Sequence, residues 1–220
     1  TAIPLASVQG QSPRLTVERG GAILSWVRRT EDGHVLRAAR VQASQLGSTS
    51  DVATGTDWFI NPFDRPSVVA LSRTSLAAHW LKRTGHTTYG YGIRMKFSDD
   101  EGKTWGPTFI PHRNRAPVQH GFAYLQPISP GSVRVAWLDG SQRLDVSKPK
   151  PESMALLSAR IDKTGRISHR TVLDEQVCTC CQPALHQTTT GWLAAYRDRT
   201  SAQIRDISVA ALDGKGVTGR

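Results

Sequence analysis

This 220-residue chain predicts an all-β fold of repeated antiparallel sheets, and three observations carry that prediction. An apolar run that ends in an aromatic residue and charged groups recurs four times, as AILSWVRRTEDG, LAAHWLKRTGH, VRVAWLDGSQ and WLAAYRDRTS. Its anchors, Trp26, Trp80, Trp137 and Tyr196, are separated by 54, 57 and 59 residues, a period longer than most helical repeats and close to one four-stranded propeller blade. Around each anchor, short runs alternate apolar with polar residues and are rich in β-branched side chains, as extended strands require. Nowhere do apolar residues hold a 3.6-residue period for three turns. The architecture expected is a β-propeller of four-stranded antiparallel blades, with about four repeats visible.

Each repeat resolves into the same order of elements. A first strand is read at PRLTV (13–17), PSVVAL (66–71), HGFAYLQ (120–126) and PALHQT (183–188). The anchor strand follows after a turn, then a charged loop. The third strand is read at VLRAARV (35–41), YGIRMKFS (91–98), MALLSARID (154–162) and IRDISVAAL (204–212). Approximate repeat bounds are 11–56, 57–113, 114–175 and 176–220, in a single domain or fragment of one. The fourth repeat reaches Arg220 before its outer strand is complete. Two expectations follow: a piece of a longer ring, or four blades closed by Ile3 to Val8 supplying the missing strand.

Composition removes other classes. The charged fraction is 21%, hydrophobic residues make up 38%, and no apolar run approaches the roughly 18 residues of a membrane span. Disorder, collagen, coiled coil and membrane helix are thereby excluded. Net charge is +10, from 28 basic against 18 acidic residues, which reads either as a basic surface or as attraction to an anionic partner. The basic residues form no block with interleaved aromatics, so no nucleic acid is expected. The opening TAIPLASVQG has neither a basic n-region nor an apolar h-region.

One motif sharpens the class. Ser98-Asp99-Asp100-Glu101-Gly102-Lys103-Thr104-Trp105 reads S-x-D-x-G-x-T-W, and resembles the Asp box of the sialidase (BNR-repeat) propellers at all five fixed positions. Its chemistry suits a tight hairpin between third and fourth strands: Ser98 and Asp100 bond turn amides, Gly102 permits positive φ, and Trp105 folds back. Degenerate versions stand at Asp162 to Arg166 and Asp213 to Gly216. The box is a structural turn, so chemistry belongs at the opposite end of the blades. Antiparallel order brings loops entering first strands and loops leaving second strands to that end.

Those loops hold the candidate residues. Asp64 and Asp139 are the carboxylates best placed for acid/base work. Trp58 and Phe63 offer apolar platforms for a sugar ring or else cover the funnel rim, and Arg65, Arg115, His120, Arg197 and Arg199 are candidate substrate-binding groups. An Arg-Asp ladder between strands is the competing reading of Arg197 to Arg199 with Arg205 and Asp206. All three cysteines fall in Cys178-Thr179-Cys180-Cys181. Close thiolates suit Cu or Zn; a disulfide and inert buried thiols are the alternatives. A strand period of two would point the Cys178 and Cys180 sulfurs to one side and Cys181 to the other.

The segments DWF with PSVV (57–69), HWL (79–81), the Asp box, HGF (120–122), AWLDG (136–140), CTCCQ (178–182) and YRDR with IRDI (196–207) together resemble a group of bacterial exported propellers described as sialidase-like. That resemblance implies a six-bladed sialidase-like propeller, a periplasmic or secreted location, and an anionic glycan bound or hydrolysed at the funnel mouth. True sialidases hold the substrate carboxylate with an arginine triad and use a Tyr/Glu nucleophile pair and an acid/base Asp. The first triad arginine normally sits in F/Y-R-I-P, where this chain has Phe63-Asp64-Arg65-Pro66, and no Tyr/Glu pair is assigned. Two other readings stand beside it: a cell-envelope soft-metal or redox-linked propeller using the cysteine cluster, and a non-catalytic binding scaffold.

Overall fold

The computed structural model describes residues 10–43, 45–141, 154–213 and 216–219. Four antiparallel sheets account for the strands in it. The first contains β1 (Gln11–Glu18), β2 (Gly21–Thr30) and β3 (Gly33–Gln42), with its fourth position shared by β4 (Gln45–Leu46) and β5 (Ser50–Gly55), both paired to β3. The second contains β6 (Ser67–Ala70), β7 (Leu76–Arg83) and β8 (Tyr91–Ser98). Its fourth position is rudimentary: the chain returns along β8 only where Met95 and Phe109 exchange backbone hydrogen bonds of 2.9 and 2.8 Å. The third contains β9 (His120–Ser129), β10 (Ser132–Asp139), β11 (Ala155–Asp162) and β12 (Ile167–Asp174). The fourth contains β13 (Ala184–Gln187), β14 (Trp192–Arg197), β15 (Ile207–Leu212) and β16 (Val217–Gly219).

All four anchors lie on the second strand of a sheet: Trp26 on β2, Trp80 on β7, Trp137 on β10 and Tyr196 on β14. The third strand of the last sheet starts at Ile207 rather than Ile204. There Asp198 N and Thr200 N bond the Asp206 and Ile204 carbonyls in a turn-bearing loop, which takes up the backbone groups a longer strand would use. Ile3 to Val8, considered above as a closing strand, lie outside the described residues.

Packing follows from the alternation along each strand. Ile23, Val27 and Leu36 of the first sheet meet Val68, Leu76 and Trp80 of the second. Leu81, Ile93 and Met95 of the second meet Leu125, Val135 and Trp137 of the third. Ala136, Leu138 and Leu156 of the third meet Leu185, Ala194 and Tyr196 of the fourth. Each Val, Leu, Ile or Met among them contributes about 1.5–3 kcal/mol when fully buried, so the three seams form the core. Three anchor aromatics obey one rule: Trp80, Trp137 and Tyr196 each face the preceding sheet. A cation–π contact adds to the last seam, with the Arg134 guanidinium 4.9 Å above the Trp192 ring. First strands touch in sequence, β1 against β6, β6 against β9 and β9 against β13, as blade-inner strands do around a shared axis.

The three predicted turns sit between third and fourth strand positions. In the first, Asp100 Oδ1 accepts from Ser98 Oγ at 2.8 Å and Thr104 N at 2.9 Å, while Thr104 Oγ1 donates to Oδ2 at 2.6 Å. Gly102 has φ +87°, and Trp105 Nε1 donates to Ser50 Oγ at 3.1 Å, locking the turn to the first sheet. Asp162 takes the same part between β11 and β12, accepting from Thr164 N and Arg166 N at 3.0 and 3.1 Å. Between β15 and β16, Asp213 accepts from Gly216 N at 2.9 Å.

Candidate functional site

Strand pairing assembles the end opposite these turns. His120, first in β9, is the register partner of Asp139, last in β10. Val177 bridges Asp198, and Cys178 N donates to Arg197 O at 3.0 Å. Trp58 bridges Lys82 just before β7 ends. Loops entering first strands therefore lie beside loops leaving second strands in three of the four sheets.

Arg14 occupies the middle. It projects from β1 at an inward position of the period-two pattern and is half-buried. Its Nη1 donates to Gln182 Oε1 at 3.0 Å, and its guanidinium lies 5.7 Å from the Tyr124 ring centroid on β9. Gln182 in turn donates to Ala123 O at 2.7 Å, holding its loop against β9. Burial pulls the Arg14 pKa below its ordinary value; Tyr124 and Asp64 oppose that shift and Arg65 reinforces it. One guanidinium on the first sheet thus senses groups borne by the other three. Arg65 is exposed and donates to Pro13 O at 3.4 Å. Arg197, also exposed, reaches Cys181 Sγ at 3.9 Å and Arg205 O at 3.4 Å. Among the described residues none of these three arginines has a carboxylate within 4.0 Å.

Beneath them runs a buried polar chain. Asp64 is 0% exposed. Its Oδ2 accepts from Tyr91 OH at 3.1 Å; Gln119 Nε2 donates to Tyr91 OH at 3.0 Å and to Thr179 O at 3.3 Å. Burial pushes the Asp64 carboxyl up to about 7, against the opposing effects of the Phe122 amide, Tyr91 and Arg14. Gly121 is required here, since a Cβ would overlap both Asp64 Oδ2 and the Tyr91 ring. The loop is shaped by Asn61, whose Oδ1 accepts from Phe63 N at 2.8 Å and leaves the Phe63 ring 72% exposed.

Asp139 is 3% exposed. Burial alone would raise its carboxyl, but His120 and Ser141 outweigh that and hold it below the usual carboxylate range. Its Oδ2 accepts from Trp137 Nε1 at 3.0 Å and faces His120 Nδ1 at 3.4 Å. The His120 ring stacks on His112 with centroids 3.9 Å apart. His112 Nδ1 bonds Asn114 O at 2.6 Å, and burial, followed by the His120 ring, pushes His112 down to about 3. Both Nε2 atoms of the pair are buried without a hydrogen-bond partner among the described residues.

The remaining sequence-predicted residues divide. Trp58 does not reach the mouth; it is buried in the seam between the first two sheets, stacked on Trp80 at 5.9 Å and on His34 at 6.4 Å. Arg115 is exposed and shares its surroundings with Arg94. Arg199 is 7% exposed, its Nε donating to Gln203 Oε1 at 2.7 Å. Within the Arg197 to Asp206 segment, Arg197 meets Arg205 O, Arg199 Nε meets Gln203 Oε1, and Asp198 Oδ1 accepts from Arg199 N.

The cysteines do share one place, but not by strand alternation. Thr179 and Cys180 form a turn, so Cys181 comes back onto Cys178, with sulfurs 2.7 Å apart and Cys180 3.8 Å from Cys178. Burial pushes Cys181 up to about 11, with the Cys178 sulfur adding to the rise. Cys178 moves the other way: burial raises it, but bonds from Cys181 and Cys180 hold it below the ordinary thiol value. Sequence reasoning passed over Arg14 and Tyr124. A basic residue at an inward position of a first strand was the available signal.

No family model and no curated protein matches the chain. Among solved structures, an endo-arabinase from Bacteroides thetaiotaomicron matches with a TM-score of 0.55 at 12% identity, over 99% of this chain and 80% of that one. A thermostable family-43 glycoside hydrolase matches at 0.54 and 10%, over 93% and 68%. An α-L-arabinanase from Penicillium chrysogenum, complexed with arabinobiose, matches at 0.52 and 14%, over 91% and 61%. At such identities the likeness is one of fold. The expected propeller architecture stands at that coarse level.

Proposed function

We propose that this chain belongs to a glycan-binding propeller of the sialidase-like kind, and that it holds a saccharide carboxylate at the end where Arg14, Arg65 and Arg197 gather. The observation that carries the reading is Arg14: half-buried, hydrogen-bonded to Gln182, set over Tyr124 and electrostatically joined to Asp64 and Arg65, it stands where all four sheets meet. A partly desolvated guanidinium without a carboxylate partner is a strong site for an anionic ligand, because a bidentate, charge-assisted pair replaces its lost hydration. Tyr124 below and the exposed Phe63 ring beside Arg65 supply apolar faces for a sugar. The fold neighbours include an endo-arabinase and an arabinanase complexed with arabinobiose, which supports glycan chemistry as the general setting.

Binding is favoured over hydrolysis. A general acid or base must touch the reacting atoms, whereas Asp64 and Asp139 are sealed by Tyr91, Gly121, Trp137 and His120. Calorimetric titration with sialyllactose, a galacturonate oligosaccharide and a neutral arabino-oligosaccharide tests the reading. One or both acidic glycans should bind and the neutral one should bind far more weakly, with Arg65→Ala and Arg14→Gln each lowering acidic-glycan affinity by about tenfold or more. Equal affinity for the neutral ligand, or binding indifferent to both substitutions, would sink the proposal.

A further inference from the structure

We infer that Cys178, Cys180 and Cys181 form a three-thiolate site for a soft monovalent cation, Cu(I). The inference does not depend on the glycan reading. All three Sγ atoms lie within 4.8 Å of one another, a convergence produced by the turn at Thr179 and Cys180 rather than by strand alternation. That turn is fastened from three sides: Cys178 N bonds Arg197 O, Thr179 O accepts from Gln119, and Gln182 bonds Ala123 O. The thiols are thus preorganised on a rigid frame, with Cys178 buried, Cys181 half-buried and Cys180 exposed. The exposed member gives an ion its way in.

Donor type and number select the metal. Thiolates favour Cu(I) and Zn(II) over hard cations, and structural zinc sites almost always close with four ligands. Among the described residues no fourth His, Cys, Asp or Glu donor joins the group, which suits a trigonal cation. With metal–sulfur bonds of about 2.3 Å, three sulfurs around one ion sit roughly 3.8–4.0 Å apart. The Cys178–Cys180 separation of 3.8 Å already matches, and the Cys178–Cys181 separation of 2.7 Å opens by rotation of the half-buried Cys181. On binding, three S–H protons pass to solvent and three Cu–S bonds form, with no change of oxidation state. The complex carries two negative charges, one of which the Arg197 guanidinium beside Cys181 offsets.

The experiment is an anaerobic titration of fully reduced protein with Cu(I) against a chromophoric Cu(I) chelator, with a parallel Zn(II) arm. One Cu(I) should bind per chain with a dissociation constant well below micromolar, with thiolate-to-copper charge-transfer absorption and copper–sulfur distances by X-ray absorption. Cys180→Ser, at an exposed turn position, should keep the circular dichroism spectrum and weaken Cu(I) by more than about a hundredfold, since even outer-shell changes cost 10- to 100-fold. Cys178→Ser should do at least as much. Affinity weaker than micromolar, no response to Cys180→Ser, or tighter Zn(II) than Cu(I) would overturn the assignment. So would formation of a Cys178–Cys181 disulfide, on treatment with glutathione disulfide, in protein whose reduced form takes up no copper.

Discussion

Asp64 holds a carboxyl with no solvent contact, raised from 3.8 to about 7 chiefly by burial. Between those two values the folded state keeps a proton that the unfolded chain has released, so stability falls as pH rises from about 4 to 7. His79 and His112, both pushed down to about 3 by burial, slope the other way: their contribution is lost as pH falls below 6.5. The difference between native protein and Asp64→Asn therefore isolates the carboxyl. Asparagine keeps an acceptor for Tyr91 without a charge, and we expect the variant to gain up to about 4 kcal/mol relative to the native chain across that window, read by urea unfolding at a series of pH values. A parallel pair of stability–pH curves would show that Asp64 does not titrate there.

The element whose role is plainest is the turn from Ser98 to Trp105. Asp100 is held down to about 2, first by the Thr104 side chain, then by the Thr104 amide and Ser98, so it bonds the turn as a carboxylate at any ordinary pH. The turn is tied to the first sheet through Ser50 and Trp105, far in the fold from Arg14. Asp100→Ala should lower the melting temperature by on the order of a few degrees and leave acidic-glycan and Cu(I) affinities unchanged. Loss of either affinity without a loss of melting temperature would give the turn a functional part it is not assigned here.

Across the whole molecule, three anchors pack on the preceding sheet, whereas Trp26 is buried in a small cluster of the first sheet itself, with Leu24 and Ala39 and the partly buried Val41 and Leu46. Beside that cluster, Leu15 and Val17, the register partners of Leu24 and Ala22, are themselves 65% and 90% exposed. The far side of the fourth sheet likewise exposes Leu193, Ile207 and Val209. Contiguous apolar faces of this kind associate in water. The 220-residue chain should self-associate with rising concentration, and Leu15→Ser with Val17→Ser should reduce that association, as measured by sedimentation velocity. Identical sedimentation of the two would mean that the face is inert.

Strand order, the four anchor positions and the Asp-box turns were legible in the sequence, because period-two alternation and turn chemistry act over a few neighbouring residues. The same locality explains what was not legible. Arg14 meets Gln182 across 168 positions, and nothing near either residue in the chain announces the pairing. Asp64 and Trp58 read as mouth residues because their loop enters a first strand; only the packing of the second sheet against its neighbours buries them. Cys181 returns to Cys178 because Gln119, Arg197 and Ala123, from two other sheet positions, hold the segment as a turn. The sequence by itself determined the order of the first three strands in each repeat and the turns that follow them. Tertiary structure alone decided which loop side chains are desolvated and which converge, since both depend on contacts between sheets far apart in the chain.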